Sequence, residues 1–221
     1  MGLLSKHNTG GNEMTTNFYF PTSKKALIIF VRNPDPGQCK TRLAKTIGNE
    51  AALKIYDYLL KHTADISEHV DVDKYVFYTE TIEKNDLWDA DIFRKKLQDG
   101  TDLGSRMENA FSELFGLGYE KVMIIGSDLL DLKQQHIDRA FEQLNQHDVI
   151  IGPSKDGGYY LLGMKTIHEN IFRDKAWGTE TVLKDTLHNL QNIDVALLEE
   201  LNDIDTFEDV KDYPELMKFY N

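Results

Sequence analysis

The sequence predicts an α/β domain, a mainly parallel sheet with helices on both faces, and three observations predict it. Short continuous apolar runs alternate with helical patterns along the chain, which is the order that strand–helix–strand units need. The composition is that of a folded chain, with 41% hydrophobic and 28% charged residues and only 15 Gly and 5 Pro in 221. No internal repeat, low-complexity tract or Pro/Gly/Ser-rich linker divides it, so a single domain over residues 19–221 is expected. Residues 1–18 read as a flexible N-terminal arm, or as residues upstream of a chain that starts at Met14.

The first strand is expected over Ala26 to Val31 (ALIIFV), a run apolar on both faces. It ends at Asn33-Pro34-Asp35-Pro36-Gly37, which continues neither a strand nor a helix. Ala52, Ile55, Tyr56, Leu59 and Leu60 then recur at helical spacing, with Lys54, Asp57 and Lys61 off that stripe. Further strands are predicted at Tyr75 to Thr79, Val122 to Ile125, Val149 to Ile151, Tyr159 to Met164 and Val195 to Leu198. Helices are predicted over Gln134 to Leu144, with Ile137, Ala140, Phe141 and Leu144 on one face, and over Thr179 to Leu190. An acidic helical tail closes the chain.

Composition excludes several classes. Cys39 is the only cysteine, so there is no intramolecular disulfide framework and no cysteine-based structural zinc site. Acidic residues outnumber basic ones by 37 to 25, a formal net charge of −12, which disfavours nucleic acid as a partner. No apolar run approaches a membrane span, the first twenty residues hold no signal-length apolar stretch, and mean hydropathy is −0.45. A cytoplasmic protein with no membrane contact is expected. None of the seven histidines forms a His-Glu-x-x-His pair, and no Gly-x-Ser-x-Gly elbow occurs.

In open α/β sheets ligands bind beyond the carboxyl ends of the strands, so the loops there carry the functional reading. After the first strand comes Pro36-Gly37-Gln38-Cys39-Lys40-Thr41-Arg42-Leu43. Residues 21–47 hold six basic side chains against Asp35 alone, and positive charge gathered in one loop of an acidic chain fits an anionic small molecule, most plausibly a phosphate. A few Lys and Arg usually mark only a solvated turn; their place after the first strand favours phosphate contact, with Lys40 and Arg42 facing solvent until ligand arrives. The loop lacks the spacing of a Walker motif. Cys39 beside Lys40 is read as a spacer rather than a nucleophile.

After the Val122 to Ile125 strand, Gly126-Ser127-Asp128 presents a carboxylate to the crevice, where a hard cation takes oxygen ligands. Asp131 is better placed to cap the next helix, which leaves Asp128 free for metal or ribose. Asp156-Gly157-Gly158 reads alone as a hairpin turn, and the paired glycines also clear room for a nucleotide or sugar against the backbone. In Asn202-Asp203-Ile204-Asp205-Thr206, alternation puts Asp203 and Asp205 on one side; for Asp203 the ordinary reading, a solvated acidic residue, is preferred. Trp177 is either core or a substrate wall.

Taken together, Pro36-Gly37-x-x-Lys40-Thr41-Arg42-Leu43, Leu103-Gly104-x-Arg106-Met107, Gly126-Ser127-Asp128, Gly152-Pro153-x-x-Asp156-Gly157-Gly158-Tyr159-Tyr160-Leu161-x-Gly163, Trp177-x-Thr179 and Asp203-Ile204-Asp205-Thr206-x-x-Asp209 resemble the DUF2064 proteins. These are bacterial glycosyltransferase-like proteins also known as transferase 1, rSAM/selenodomain-associated. The resemblance runs from about Lys24 to Asp209. It implies a GT-A-like (Rossmann-like) fold of the nucleotide-diphospho-sugar transferase type, a nucleotide or nucleotide-sugar substrate and a divalent cation, Mg²⁺ or Mn²⁺. On that model Lys40 and Arg42 hold phosphate oxygens and join Asp128 as the catalytic set. The metal goes to Asp128, with Asp156 or Asp205 completing the site and Asp205 the residue we assign. Pro36, Gly37, Arg106, Asp156, Gly157, Gly158, Trp177 and Thr179 join Lys40 and Arg42 around the nucleotide.

Two positions depart from the pattern: Leu129-Leu130-Asp131 follows where such families commonly have Pro, and Ser127 stands where a glycosyltransferase often has another Asp. The resemblance implies a metal-dependent transferase, glycosyltransferase-like with a nucleotide-sugar donor. One alternative is a nucleotidylyltransferase joining a nucleoside triphosphate to a phosphorylated or anionic acceptor. The Lys40/Arg42 loop is similar to the phosphate loop of small nucleotidylyltransferases such as phospholactate guanylyltransferases and fits that version better. The remaining alternative, a non-catalytic nucleotide- or sugar-binding protein, is opposed by the retained Lys40, Arg42, Asp156 and Asp205.

Overall fold

A computed structural model describes residues 20–220; the expected arm over 1–18 lies outside them. Seven strands form one sheet in the order β3-β2-β1-β4-β6-β5-β7. They are β1 (Lys25–Val31), β2 (Asp73–Tyr78), β3 (Phe93–Leu97), β4 (Lys121–Ile125), β5 (Val149–Pro153), β6 (Tyr159–Met164) and β7 (Val195–Leu197). The helices are α1 (Thr41–Ile47), α2 (Asn49–Glu68), α3 (Leu103–Gly116), α4 (Gln134–Gln143), α5 (Val182–Asn189), α6 (Phe207–Val210) and α7 (Pro214–Met217). Among the described residues no helix is long and apolar enough to cross a membrane.

The sheet is mainly parallel, as the alternation of elements predicts. Strand β1 pairs in parallel with β2 and β4, and β2–β3 and β5–β7 are also parallel. Strand β6 is the exception, antiparallel to both β4 and β5. Its apolar run reads the same in either direction because both its faces are buried, and the local sign of its reversal is the turn that precedes it. The hairpin that reverses it is the Asp156-Gly157-Gly158 turn, closed by the Gly157 N–H donating to the Ser154 carbonyl at 3.0 Å.

Alternation along β1 divides the core. Leu27, Ile29 and Val31 pack on one face with Tyr56 and Leu60 of α2 and Ile137, Ala140 and Phe141 of α4. Ala26 and Ile28 pack on the other with Met107, Ala110, Phe111 and Leu114 of α3. A third cluster joins Leu43 of α1 and Ala52, Ile55 and Leu59 of α2 to Ile204, Val210 and Leu216. The acidic tail is thereby folded against the basic loop's own helix.

Four expectations need correction. Between Thr79 and Val122 the sequence reading has no element, whereas the structure has β3 and α3. The helix expected from Thr179 begins at Val182. Residue Asp131 does not cap α4: the N-cap is Lys133, and the Asp131 carboxylate accepts from the Tyr213 hydroxyl at 2.6 Å. Lys40 does not face solvent, since its side chain is only 6% exposed.

Candidate functional site

The loops after β1 and β2 are tied together by Asn33, whose Oδ1 accepts from the Glu80 N–H at 3.0 Å and whose Nδ2 donates to the Thr81 carbonyl at 2.9 Å. Tyr56 braces the end of β1 by accepting from the Arg32 N–H at 2.9 Å and donating to the Arg32 carbonyl at 3.1 Å. From this anchored start the chain turns at Gly37 (φ 77°) and enters α1 through Lys40, which is held in the left-handed region at φ 50°.

That conformation accompanies a specific contact. Lys40 Nζ lies 3.0 Å from Asp128 Oδ2, so the loops after β1 and β4 meet in an ion pair. Two residues on, Arg42 Nη1 lies 3.0 Å from Asp205 Oδ2. The Asp205 segment is fixed in turn by the Ile204 N–H donating to the Asp128 carbonyl at 2.9 Å and by Asp209, which accepts from the Thr206 N–H at 2.7 Å. Ile204 is fully buried, and its burial carries the acidic residues on either side into the crevice.

Asp203 and Asp205 therefore do different things, although alternation predicted a shared side. Asp205 is engaged by Arg42. The Asp203 carboxyl is pushed up to about 6, first by burial and then by the charges of Asp128 and Asp156. Sequence reasoning left Asp203 as a solvated acid. The signal that would have found it is Ile204, an apolar residue inside an acidic run, which has to be buried. Asp156 accepts from the Gly158 N–H at 2.9 Å and from the Ser154 hydroxyl, which aims it from the β5–β6 hairpin toward the same point.

These residues stand where two lobes of one crevice join. The larger lobe, about 800 Å³, carries Lys40, Arg42 and Arg106 on its walls. The Arg106 Nε donates to the Gly100 carbonyl at 3.1 Å. The smaller, about 250 Å³, is walled by Phe30, Leu103, Met107, Tyr159, Trp177 and Val182. Phe30, Leu103, Gly126, Asp128, Asp156, Gly178 and Asp203 line both. Trp177 packs edge-on to Tyr159 with centroids 6.5 Å apart and is thus both half-buried and a wall. Thr179 also lines the smaller lobe, its hydroxyl spent on the Ala176 carbonyl at 2.8 Å.

Three of the glycine-loop expectations land elsewhere. Pro36 and Gly37 are not among the lining residues and serve the turn. Gly157 (φ 88°) is needed because a Cβ there would stand 2.3 Å from the Glu180 carbonyl oxygen, so it makes room for the 177–181 segment. Gly158 does line the crevice. Cys39 is buried, and burial with the nearby Asp57 charge pushes its thiol up, the opposite of an activated thiolate.

The donor set suits a hard cation. Asp128, Asp156 and Asp203 offer carboxylate oxygens, the ligands that Mg²⁺ and Mn²⁺ take. Among the described residues no three acidic, His or Cys groups close into a ready-made metal cage. A cation here would need substrate phosphates and water as further ligands, which is the usual manner of Mg²⁺ binding.

Comparison with known proteins agrees with this fold. The model of the family described as "Uncharacterized protein conserved in bacteria (DUF2064)" matches residues 62–179, just over half of the chain and including Asp128, Asp156 and Trp177. Among curated proteins, a 2-phospho-L-lactate guanylyltransferase of Methanocaldococcus sp. (strain FS406-22) is 30% identical over 129 residues, 58% of this chain and 54% of that protein. The chain thus spans about half the length of that relative and 28% of a second 2-phospho-L-lactate guanylyltransferase, from Methanocaldococcus vulcanius (strain ATCC 700851 / DSM 12094 / M7). A crystallised candidate nucleotide-diphospho-sugar transferase from Desulfovibrio desulfuricans G20 is 26% identical with a TM-score of 0.79, covering 90% of this chain and 98% of that one. A 4-diphosphocytidyl-2C-methyl-D-erythritol synthase from Anaerococcus prevotii DSM 20548 shares the fold at 11% identity, with a TM-score of 0.57 over 88% of this chain and 96% of that one. The architecture is that of the nucleotide-diphospho-sugar transferases, GT-A-like as the resemblance implied.

Proposed function

The chain belongs to the DUF2064 family, and from that premise and the crevice we propose that it is a divalent-cation-dependent transferase acting on a nucleotide-activated substrate. Nucleotidyl transfer from a nucleoside triphosphate is the version the geometry supports best. The observation that carries the transferase reading is the Lys40–Asp128 contact at 3.0 Å. A cation of the kind that binds phosphate and a carboxylate of the kind that binds metal meet at the junction of the two lobes.

In this reading the larger lobe takes the polyphosphate. Lys40 and Arg42 exchange their carboxylate partners for phosphate oxygens, and Arg106 adds a third positive group from the α3 side. Asp128 and Asp203 would hold the cation, with Asp156 beside them. The cation supplies positive charge against which the leaving phosphate develops its negative charge. Asp203, with its carboxyl near 6 in the empty site, holds a proton under mildly acidic conditions and releases it when positive charge arrives. The acceptor's oxygen attacks the α-phosphorus, a new P–O bond forms, and pyrophosphate leaves. The guanylyltransferase relatives support this version.

Glycosyl transfer is the second reading, favoured by the likeness to the Desulfovibrio desulfuricans protein. There the acceptor attacks the sugar carbon and a nucleoside diphosphate leaves. Incubation with each nucleoside triphosphate and with common nucleotide sugars, with and without Mg²⁺ or Mn²⁺, separates the two by product. Metal-dependent pyrophosphate supports nucleotidyl transfer, metal-dependent nucleoside diphosphate from a nucleotide sugar supports glycosyl transfer, and failure to bind any nucleotide contradicts both.

A further inference from the structure

The two lobes of the crevice differ in charge as well as in size. The larger carries the cations Arg32, Lys40, Arg42 and Arg106, alongside the carboxylates Glu80, Asp102 and Asp205. None of the described residues lining the smaller lobe is Lys, Arg or His, and its charged groups are the carboxylates Asp128, Asp156 and Asp203 at the floor it shares with its neighbour. Above that floor the walls are aromatic and aliphatic. Lys40 reaches Asp128 from the other lobe and is held there at 3.0 Å.

We propose that the smaller lobe binds the acceptor, and that the acceptor is a small uncharged alcohol with an apolar body rather than a phosphorylated or carboxylated acid. This rests on the transferase reading above and goes beyond it by naming the second substrate's class. A phosphate or carboxylate seated there would lose its water without gaining a positive partner and would face like charges. Carboxylates neutralised by a cation would still leave the lobe without a positive group of its own.

An apolar body, by contrast, gains from leaving water for Phe30, Met107, Tyr159 and Trp177. The volume of about 250 Å³ is at the small end for ligand clefts. A hydroxyl at the floor end can donate to an Asp156 or Asp203 oxygen, since an ionised carboxylate only accepts. A protonated amine would also be attracted, but its nitrogen has no lone pair with which to attack. In the transfer, the alcohol oxygen forms the new bond, the bond to the departing phosphate breaks with its electron pair, and the hydroxyl proton passes to a floor carboxylate. The curated relatives are named for 2-phospho-L-lactate, an acid, so this lobe marks a divergence from them.

The test uses the full chain and Trp177 as reporter. The other tryptophan, Trp88, is buried against Phe93, away from the crevice. The probes are 2-phenylethanol, 2-phenylethyl phosphate and glucose, each titrated against Trp177 emission, with nucleoside triphosphate binding measured separately by calorimetry. The expected result is that the alcohol perturbs Trp177 at a concentration at least tenfold lower than the phosphate ester or the sugar. The ester should compete with nucleotide instead. Trp177→Phe should abolish the signal. Leu103→Arg, at a half-exposed wall position, should raise the ester's affinity at Trp177 at least tenfold.

An ester or sugar that matches the alcohol at Trp177 while nucleotide still binds overturns the acceptor inference and leaves the transferase reading intact. Absence of nucleotide binding with the alcohol response preserved overturns the transferase reading and leaves the lobe's preference standing.

Discussion

Lys40 combines a left-handed backbone (φ 50°) with a buried side chain paired to Asp128. A non-glycine residue in that region costs of order 1–3 kcal/mol, so the surrounding contacts must hold it there. In the empty site its ammonium occupies the carboxylate that the proposed cation needs. Lys40→Ala should therefore raise the affinity of the nucleotide-free protein for Mn²⁺. The same change should weaken nucleotide binding by one to two orders of magnitude, for a charge-assisted hydrogen bond worth about 1.5–3 kcal/mol. Calorimetric titrations with metal alone and with nucleotide read both, and a variant weaker in both would contradict the exchange of partners.

Asp203 gives a pH signature. Its carboxyl sits at about 6 in the folded chain against an ordinary 3.8, so the native state binds that proton more tightly than the unfolded one. The stability this contributes is present below about 4 and is lost as pH rises to about 6. Asp203→Asn removes the cost of burying that charge and, secondarily, its repulsion with Asp128 and Asp156. The residue is partly exposed, so solvent screening leaves about 1 kcal/mol. Melting at pH 7.5 without metal should rise by roughly 2–4 °C, and the difference should vanish below pH 4. Lys40, Arg42 and Asp128 were legible because a basic loop and a strand-end carboxylate are local patterns. Asp203 was not, because its environment is assembled from Asp128 and Asp156, far away in sequence.

The elements that build the crevice were unequally legible for a physical reason. Strands β1, β4, β5 and β6 are buried on both faces and read as continuous apolar runs. Strand β3 (Phe93–Leu97, FRKKL) lies at the sheet edge and buries only Phe93, so nothing in its pattern announces a strand. Helix α3 did carry a signal, Met107, Ala110, Phe111 and Leu114 at helical spacing.

Its start matters most for the site. A Cβ at Gly104 would stand 2.1 Å from the Phe172 carbonyl oxygen and 2.7 Å from Trp177 Nε1, so α3 and the 172–177 segment touch through this glycine. Gly104→Ala should destabilise the fold by about 1–3 kcal/mol, as overpacking typically does. It should also red-shift Trp177 emission as that wall of the smaller lobe is pushed toward solvent. A thermal melt and an emission spectrum check this, and an unchanged spectrum with parental stability would mean that the contact is dispensable.

Across the whole molecule, a chain of net charge −12 gathers Lys40, Arg42 and Arg106 in one lobe and leaves the adjoining one without a cation. The C-terminal segment completes this arrangement by returning over α1 and α2, where Ile204, Val210 and Leu216 are buried, to deliver Asp203 to the carboxylates and Asp205 to Arg42. The order of strands and helices foretold the architecture, and of the six basic residues in 21–47 the structure places Arg32, Lys40 and Arg42 on the larger lobe. The joining of two lobes over three carboxylates depends on tertiary packing and could not be read from spacing. The central claim is that phosphate cations and metal carboxylates form one nucleotide–cation site, and it is tested most directly by calorimetric binding of nucleoside triphosphates with Mn²⁺ to the parent and to Asp128→Asn. The account predicts cation-dependent binding in the parent and a loss of at least tenfold in the variant, which stays folded at the assay temperature although the loss of the Lys40 counter-charge lowers its melting temperature. Equal cation-dependent affinity in the two proteins would contradict it.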